Sequence, residues 1–221
     1  MERRTCNAAS VRIESRGEGQ PPVITGYAAR YYDPNTPGTE YVMKSRHGNI
    51  HERIKPGAFD RALAEGDVVG LFNHDTNYIL GRQSAGTLRL SVDGLGLRFE
   101  IDPPDTGTGR DLMASLKRGD VSGSSFSFAP RTGGETWRDA EIENKEVSIR
   151  ELTDVALYDV GPVVFPAYKA ASSGVRADSQ APEEIESALL AWRATMVTPR
   201  DVVLVRARMM IADIDTTTYA R

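Results

Sequence analysis

The chain reads as a mostly β (α+β) protein: a small, mostly antiparallel barrel or sandwich flanked by short helices, followed by a C-terminal tail carrying one helix. Three observations predict this. Short runs rich in β-branched and aromatic residues recur from residue 10 to about 168, several of them apolar at every second position. Turn residues punctuate these runs. Two helical stripes interrupt them, too few for an alternating βαβ chain.

Taken in order, MERRTCNAAS is polar, carries the local basic pair Arg3-Arg4, and reads as a mobile N-terminus. Val11-Arg12-Ile13-Glu14 alternates with period two, and PVITGYAARYY is a second strand candidate. SRHGNIHERIKPG is polar and reads as a loop holding His47 and His51. KPGAFDRALAEGD predicts a helix, with Pro56 near its start, Gly66 past its end, and an apolar stripe of Phe59, Ala62 and Leu63. VVGLFNH is a strand ending in a turn at His74. TLRLSV (87–92) and LGLRFEI (95–101) flank Asp93-Gly94 and predict a hairpin. GTGRDLMASLKRGD predicts a second helix, with Leu112, Met113 and Leu116 on one face, Gly119 as terminator, and Lys117 and Arg118 in the last turn.

These elements make one domain over residues 10–171. A polar linker, SSGVRADSQAPEE, spans 172–184, and a tail spans 185–221. The tail holds a predicted helix in EEIESALLAWRATM and an apolar run, VVLVRARMMIADI. It is too short to form a core alone, so it must dock on the domain, on another copy or on a partner.

Composition excludes several functions. A formal charge of −4 argues against broad nucleic-acid binding. A single cysteine, Cys6, rules out an intramolecular disulfide framework and a thiolate zinc site. Three histidines without HExxH or a comparable cluster give no metal site, and no cofactor is expected. No apolar run is long enough to span a membrane, and the first residues lack the apolar middle of a signal peptide, so the expected compartment is the cytoplasm.

The candidate chemistry starts in GDVSGSSFSF, residues 119–128. In an extended segment Ser124, Phe126 and Phe128 share one face, and Gly123, Ser125 and Ser127 share the other. With the phenylalanines turned to the core, Ser125 and Ser127 look outward and remain the two candidate nucleophiles. A base must come from elsewhere. His74, at the end of an apolar strand, is preferred to His47 and His51. A carboxylate must fix its tautomer. ELTDVALYDVGPVVFPAY offers Asp154 and Asp159 among apolar neighbours, where an unpaired acid is costly. The glycine-x-serine-x-glycine pattern of esterases fails, because Gly123 precedes Ser125 by two places but Ser127 follows by two.

An ordered set of segments resembles the prohead proteases of tailed bacteriophages, capsid-maturation serine peptidases that resemble herpesvirus assemblins in fold. It runs from Gly26-Tyr27-Ala28 through Ile54-Lys55-Pro56-Gly57-Ala58-Phe59, Leu71-Phe72-Asn73-His74-Asp75 and Leu80-Gly81-Arg82. It continues with Gly86-Thr87-Leu88-Arg89-Leu90, Asp93-Gly94-Leu95-Gly96-Leu97, Arg118 to Phe126, and Phe165-Pro166-Ala167-Tyr168. The resemblance implies that His74 is the catalytic histidine, Ser125 the nucleophile and Asp159 the orienting acid. Here Asp159-Val160-Gly161 stands where the family commonly has a Glu-Val-Ser-like triplet, and the glycine is a departure. Backbone amides, with Arg82, would hold the oxyanion. The implied substrates are capsid or scaffold protein segments, and the chain itself. The implied location is the immature capsid in the bacterial host cytoplasm, with a homo-oligomer as a further option. An assembly factor without turnover and a general esterase are the alternatives.

Overall fold

A computed structural model describes residues 1–6, 11–165 and 179–196. Its strands form three sheets. The first runs β1 (Glu2–Cys6), β10 (Gly123–Pro130), β13 (Val155–Val163), β6 (Val69–Phe72), β7 (Asp75–Arg82). In the second the order is β11 (Glu135–Ile142), β12 (Lys145–Leu152), β5 (Asn49–Ile54), β4 (Glu40–Lys44), β14 (Ser179–Gln180). The third is β2 (Arg12–Glu14), β3 (Val23–Arg30), β9 (Gly96–Ile101), β8 (Leu88–Val92). The helices are α1 (Asp60–Glu65), α2 (Gly107–Arg118) and α3 (Glu183–Met196).

The mostly β architecture with short helices and a C-terminal helix follows the sequence pattern. The closed barrel does not appear: among the described residues the strand ladders make three open sheets. Most pairings are antiparallel, but β12–β5, β13–β6 and β14–β4 are parallel. Parallel neighbours come from distant parts of the chain, so no local turn signal announces them.

Helix α2 shows how local chemistry sets the ends. Thr106, in extended conformation, accepts a hydrogen bond from the Gly109 N–H through its hydroxyl, and Gly119 closes the helix at φ 83°. That left-handed angle suits glycine, which has no Cβ to clash.

One core joins all three sheets to α1 and α2, the second sheet contributing Tyr41, Ile54 and Leu152. At its centre Phe126 stacks on Phe128 at 5.0 Å, and Phe59 meets Phe126 edge-on at 5.9 Å. Burying each such ring contributes about 1.5–3 kcal/mol, so β10 is anchored by its phenylalanines. A second cluster seats α3 on the second sheet through Ile185 and Leu189 against Met43 and Ile50, with Trp192 stacked on Trp137 at 6.4 Å. The predicted tail helix therefore docks on the domain. The apolar run VVLVRARMMIADI lies outside the described residues, as does most of the predicted linker.

Two local readings are corrected. In place of the expected mobile N-terminus, Glu2–Cys6 forms a strand along the edge of β10, Cys6 is buried, and Arg4 is not part of a surface basic patch; residues 7–10 lie outside the described residues. His51 is not in a loop but inside β5, buried, with its ring against Glu40 at 2.9 Å. Both segments lack an apolar alternation because they bury charged side chains in ion pairs.

Candidate active site

Three neighbouring strands of the first sheet converge on one imidazole. Strands β6 and β7 are joined at Asn73 and His74, with Phe72 opposite Asp75. Both turn residues have positive φ, 56° and 58°. This is the backbone of the two-residue hairpin turn that matches strand twist, and asparagine and histidine enter it more readily than most side chains. The turn is tied to the end of β13: Asn73 N–H donates to the Pro162 carbonyl at 3.0 Å, and Val164 N–H donates to Asn73 Oδ1 at 2.9 Å. Both bonds fall on Asn73, one through its backbone N–H and one through its side chain, so the residue preceding the histidine is fixed to the end of β13.

Its ring spans two strands. His74 Nε2 lies 2.7 Å from Ser125 Oγ on β10, and Nδ1 is hydrogen-bonded to Asp159 Oδ1 on β13. Ser127 Oγ lies 3.1 Å from the same Nδ1. A carboxylate only accepts hydrogen bonds, so Asp159 keeps the proton on Nδ1 and leaves the Nε2 lone pair facing Ser125. Ser127 shares its nitrogen with Asp159 and faces no free lone pair. This separates the two serines that strand periodicity could not.

Their face is not open to solvent as expected. Ser125 is 3% exposed and Ser127 is fully buried, because β1 pairs along β10 and the imidazole lies against both hydroxyls. Ser124 is on the other face, where its hydroxyl donates to the Tyr27 carbonyl.

The departure at Gly161 has a steric cause. It lies opposite Ser125 in the β10–β13 register, and a Cβ there would sit 1.9 Å from the Leu71 carbonyl oxygen. No side chain fits while β6 runs that close.

Other candidates stand apart. Asp154 precedes β13 and pairs with Arg61 and Arg131. Five residues of strand, about 16 Å, separate it from Asp159. Arg82 is at the far end of β7 from His74, and its guanidinium binds Asp67 at 2.7 and 2.8 Å. That bond, with help from Ser84, lowers the Asp67 carboxyl to about 2. Arg82 is a surface ion-pair partner and not an oxyanion donor. His47 is in an exposed turn. A concavity of ≈ 590 Å³ between β2 and α2 contains none of the three convergent residues.

Sequence reasoning missed one charged cluster beside the site. Arg4 and Arg150 flank Glu52, which is completely buried, and both reach Glu2. Burial pushes the Glu52 carboxyl up, but the pull of Arg4 and Arg150 outweighs it and leaves the group below its ordinary value. The partners come from β1, β5 and β12, so no sequence spacing could join them.

Hydroxyl, imidazole and carboxylate in series on a β-sheet are the constellation of a serine hydrolase. Residues 8–184 match the caudovirus prohead serine protease family, and the chain belongs to that family. No curated protein and no solved structure matches the chain significantly. Membership supports a role in phage capsid maturation and implies interaction with capsid or scaffold proteins in the prohead, inside the host cell. No helix among the described residues is long and apolar enough to cross a membrane.

Proposed function

We propose that this chain is a serine endopeptidase that cuts scaffold or capsid-protein segments, and itself, while the phage shell is immature. Ser125 is the nucleophile, His74 the base and then the acid, and Asp159 the group that orients the ring. The hydroxyl proton passes to His74 Nε2 as Oγ bonds to the substrate carbonyl carbon. When the tetrahedral intermediate collapses, the C–N bond breaks and the same proton leaves on the amine. Water then repeats the sequence on the acyl-enzyme, releasing the acid and restoring Ser125. Backbone N–H groups beside the nucleophile are the oxyanion donors in this reading; each such donor is worth about 3 kcal/mol of barrier.

One observation carries the proposal: the two nitrogens of a single imidazole meet different groups, Asp159 at Nδ1 and Ser125 at Nε2. That arrangement sets the tautomer and the direction of proton flow together. A second reading, an assembly factor without turnover, draws on the burial of Ser125. A fluorophosphonate probe with peptide mapping decides between them. The expected label is on Ser125, lost in Ser125→Ala and His74→Ala and kept in Ser127→Ala, with all variants folded. A label on Ser127, or none after long incubation, overturns the peptidase reading as written.

A further inference from the structure

A peptide cannot be attacked by a hydroxyl it cannot reach, and Ser125 is reached first by the chain's own N-terminal strand. β1 runs antiparallel along the edge of β10, with Thr5 opposite Ser125 and Arg4 opposite Phe126. The Ser125 hydroxyl donates to the Arg4 carbonyl at 2.8 Å while also lying against His74 Nε2. One hydroxyl proton serves one acceptor, so the Arg4 carbonyl competes for the proton that the base must take. The family match begins at residue 8, after this strand. An extended substrate that pairs with β10 must therefore displace β1 and take over its bonds.

What β1 leaves behind is chemically specific. The Arg4 side chain enters between the first and second sheets, its guanidinium carbon 5.5 Å from the Phe128 ring centre. Its Nε donates to Glu52 Oε1 at 2.6 Å and its Nη2 to Glu52 Oε2 at 2.8 Å. Across the slot, Arg150 holds Glu52 and Glu135. With β1 withdrawn, two carboxylates face one guanidinium, a net charge of −1, and Glu52 Oε1 loses its Arg4 donor. A cation must refill the slot or water must enter it. The paired bond from Nε and Nη2 fits a guanidinium better than an ammonium.

We propose that the edge of β10 is a peptide-binding slot occupied in this structure by β1, and that Glu52 forms a subsite for a basic substrate residue, arginine above all, whose carbonyl meets Ser125. The proposal rests on the reading of Ser125 as a peptidase nucleophile. The bond cut is the amide following that residue, by the acyl transfer described above, with His74 carrying the proton from Ser125 to the leaving amine.

The full-length chain tests this with two readouts. Fluorophosphonate labelling of Ser125 should run about tenfold faster in Arg4→Ala than in the wild type, with Arg4→Lys between them, because weaker anchoring opens the slot more often. A ten-residue peptide copying MERRTCNAAS should be cut after its fourth residue. It should be cut about a hundredfold faster than the same peptide with citrulline there, since an unpaired buried carboxylate is the alternative. Glu52→Gln should bring that ratio close to one. Equal labelling of wild type and Arg4→Ala, or equal cleavage of the two peptides, overturns the inference and leaves the peptidase standing. Absence of labelling and cleavage in every variant removes both. Should Arg4→Ala not fold, hydrogen exchange on the wild type decides: β1 amides opening well before those of β10 support the slot, and equal protection rejects it.

Discussion

Removing the Asp159 carboxylate separates the two groups that compete at His74 Nδ1. In the proposed mechanism the imidazole becomes a cation in the transition state, hydrogen-bonded to that carboxylate. Two unit charges about 4 Å apart at an effective permittivity near 20 attract by about 4 kcal/mol. At 1.36 kcal/mol per decade of rate, Asp159→Ala should slow peptide cleavage about a thousandfold. Ser127→Ala alone should cost at most a few-fold, because Asp159 still holds the proton on Nδ1. In the Asp159→Ala background, however, Ser127 Oγ, 3.1 Å away, becomes the remaining acceptor that keeps this tautomer. Its loss there should cost a further factor of about ten, the worth of one neutral hydrogen bond. The assay is a double-mutant cycle on kcat/KM with a cleavable peptide, and the expected signature is non-additivity: Ser127 matters about tenfold only when Asp159 is gone. Strict additivity, or an Asp159→Ala enzyme as fast as wild type, would refute the assignment of Nδ1 to the carboxylate.

Gly161→Ala should destabilise by about 3 kcal/mol or more, since relieving a Cβ 1.9 Å from the Leu71 oxygen must move β6 relative to β13. The same movement carries His74 away from Ser125, so labelling should slow along with the drop in Tm; unchanged labelling would show that the turn is not held by that strand contact. Acid should weaken the Glu52 cluster. Its folded pKa is below the ordinary 4.5, so its contribution is present above that value and is lost as pH falls through the lower folded one. Thermal melts and β1 amide protection should thus be level from about pH 5 to 8 and fall below about 4.5; a flat profile down to pH 3 contradicts it.

Much of the site was legible because its parts obey local rules. Period-two geometry put Ser125 and Ser127 on one face of β10, and a strand-ending LFNH placed His74 at a turn. Apolar surroundings marked Asp154 and Asp159 as acids needing partners. Local rules left Asp154 and Asp159 open; the resemblance favoured Asp159, and its place beside His74 comes from the pairing of β13 with β10 and β6, a relation between segments far apart in sequence. The same limit hid β1 and the second sheet's parallel pairings. ERRTC has no apolar alternation, and its strand character comes from β10 and from charges on β5 and β12. Barrel closure is unconfirmed for a related reason: strand spacing predicts how many strands there are, but their closure depends on long-range partners.

The spacing of the three groups follows from sheet geometry. Ser125 lies opposite Gly161, and Ser127 lies opposite Asp159. Ser125 and Asp159 are therefore diagonal neighbours on one face, about 7–8 Å apart in backbone terms, a gap that one imidazole with a hydrogen bond at each end can bridge. The diagonal leaves two positions to fill. Gly161, across from Ser125, admits no side chain because β6, which leads into the His74 turn, runs so close that a Cβ would meet the Leu71 carbonyl. Ser127, across from the acid, is small enough to leave the ring room and polar enough to face it. A one-residue slip of β10 would put Phe126 where a hydroxyl is required. The phenylalanine stack that anchors β10 in the core therefore also fixes which side chains line its other face, so packing and the proposed proton transfer depend on the same register.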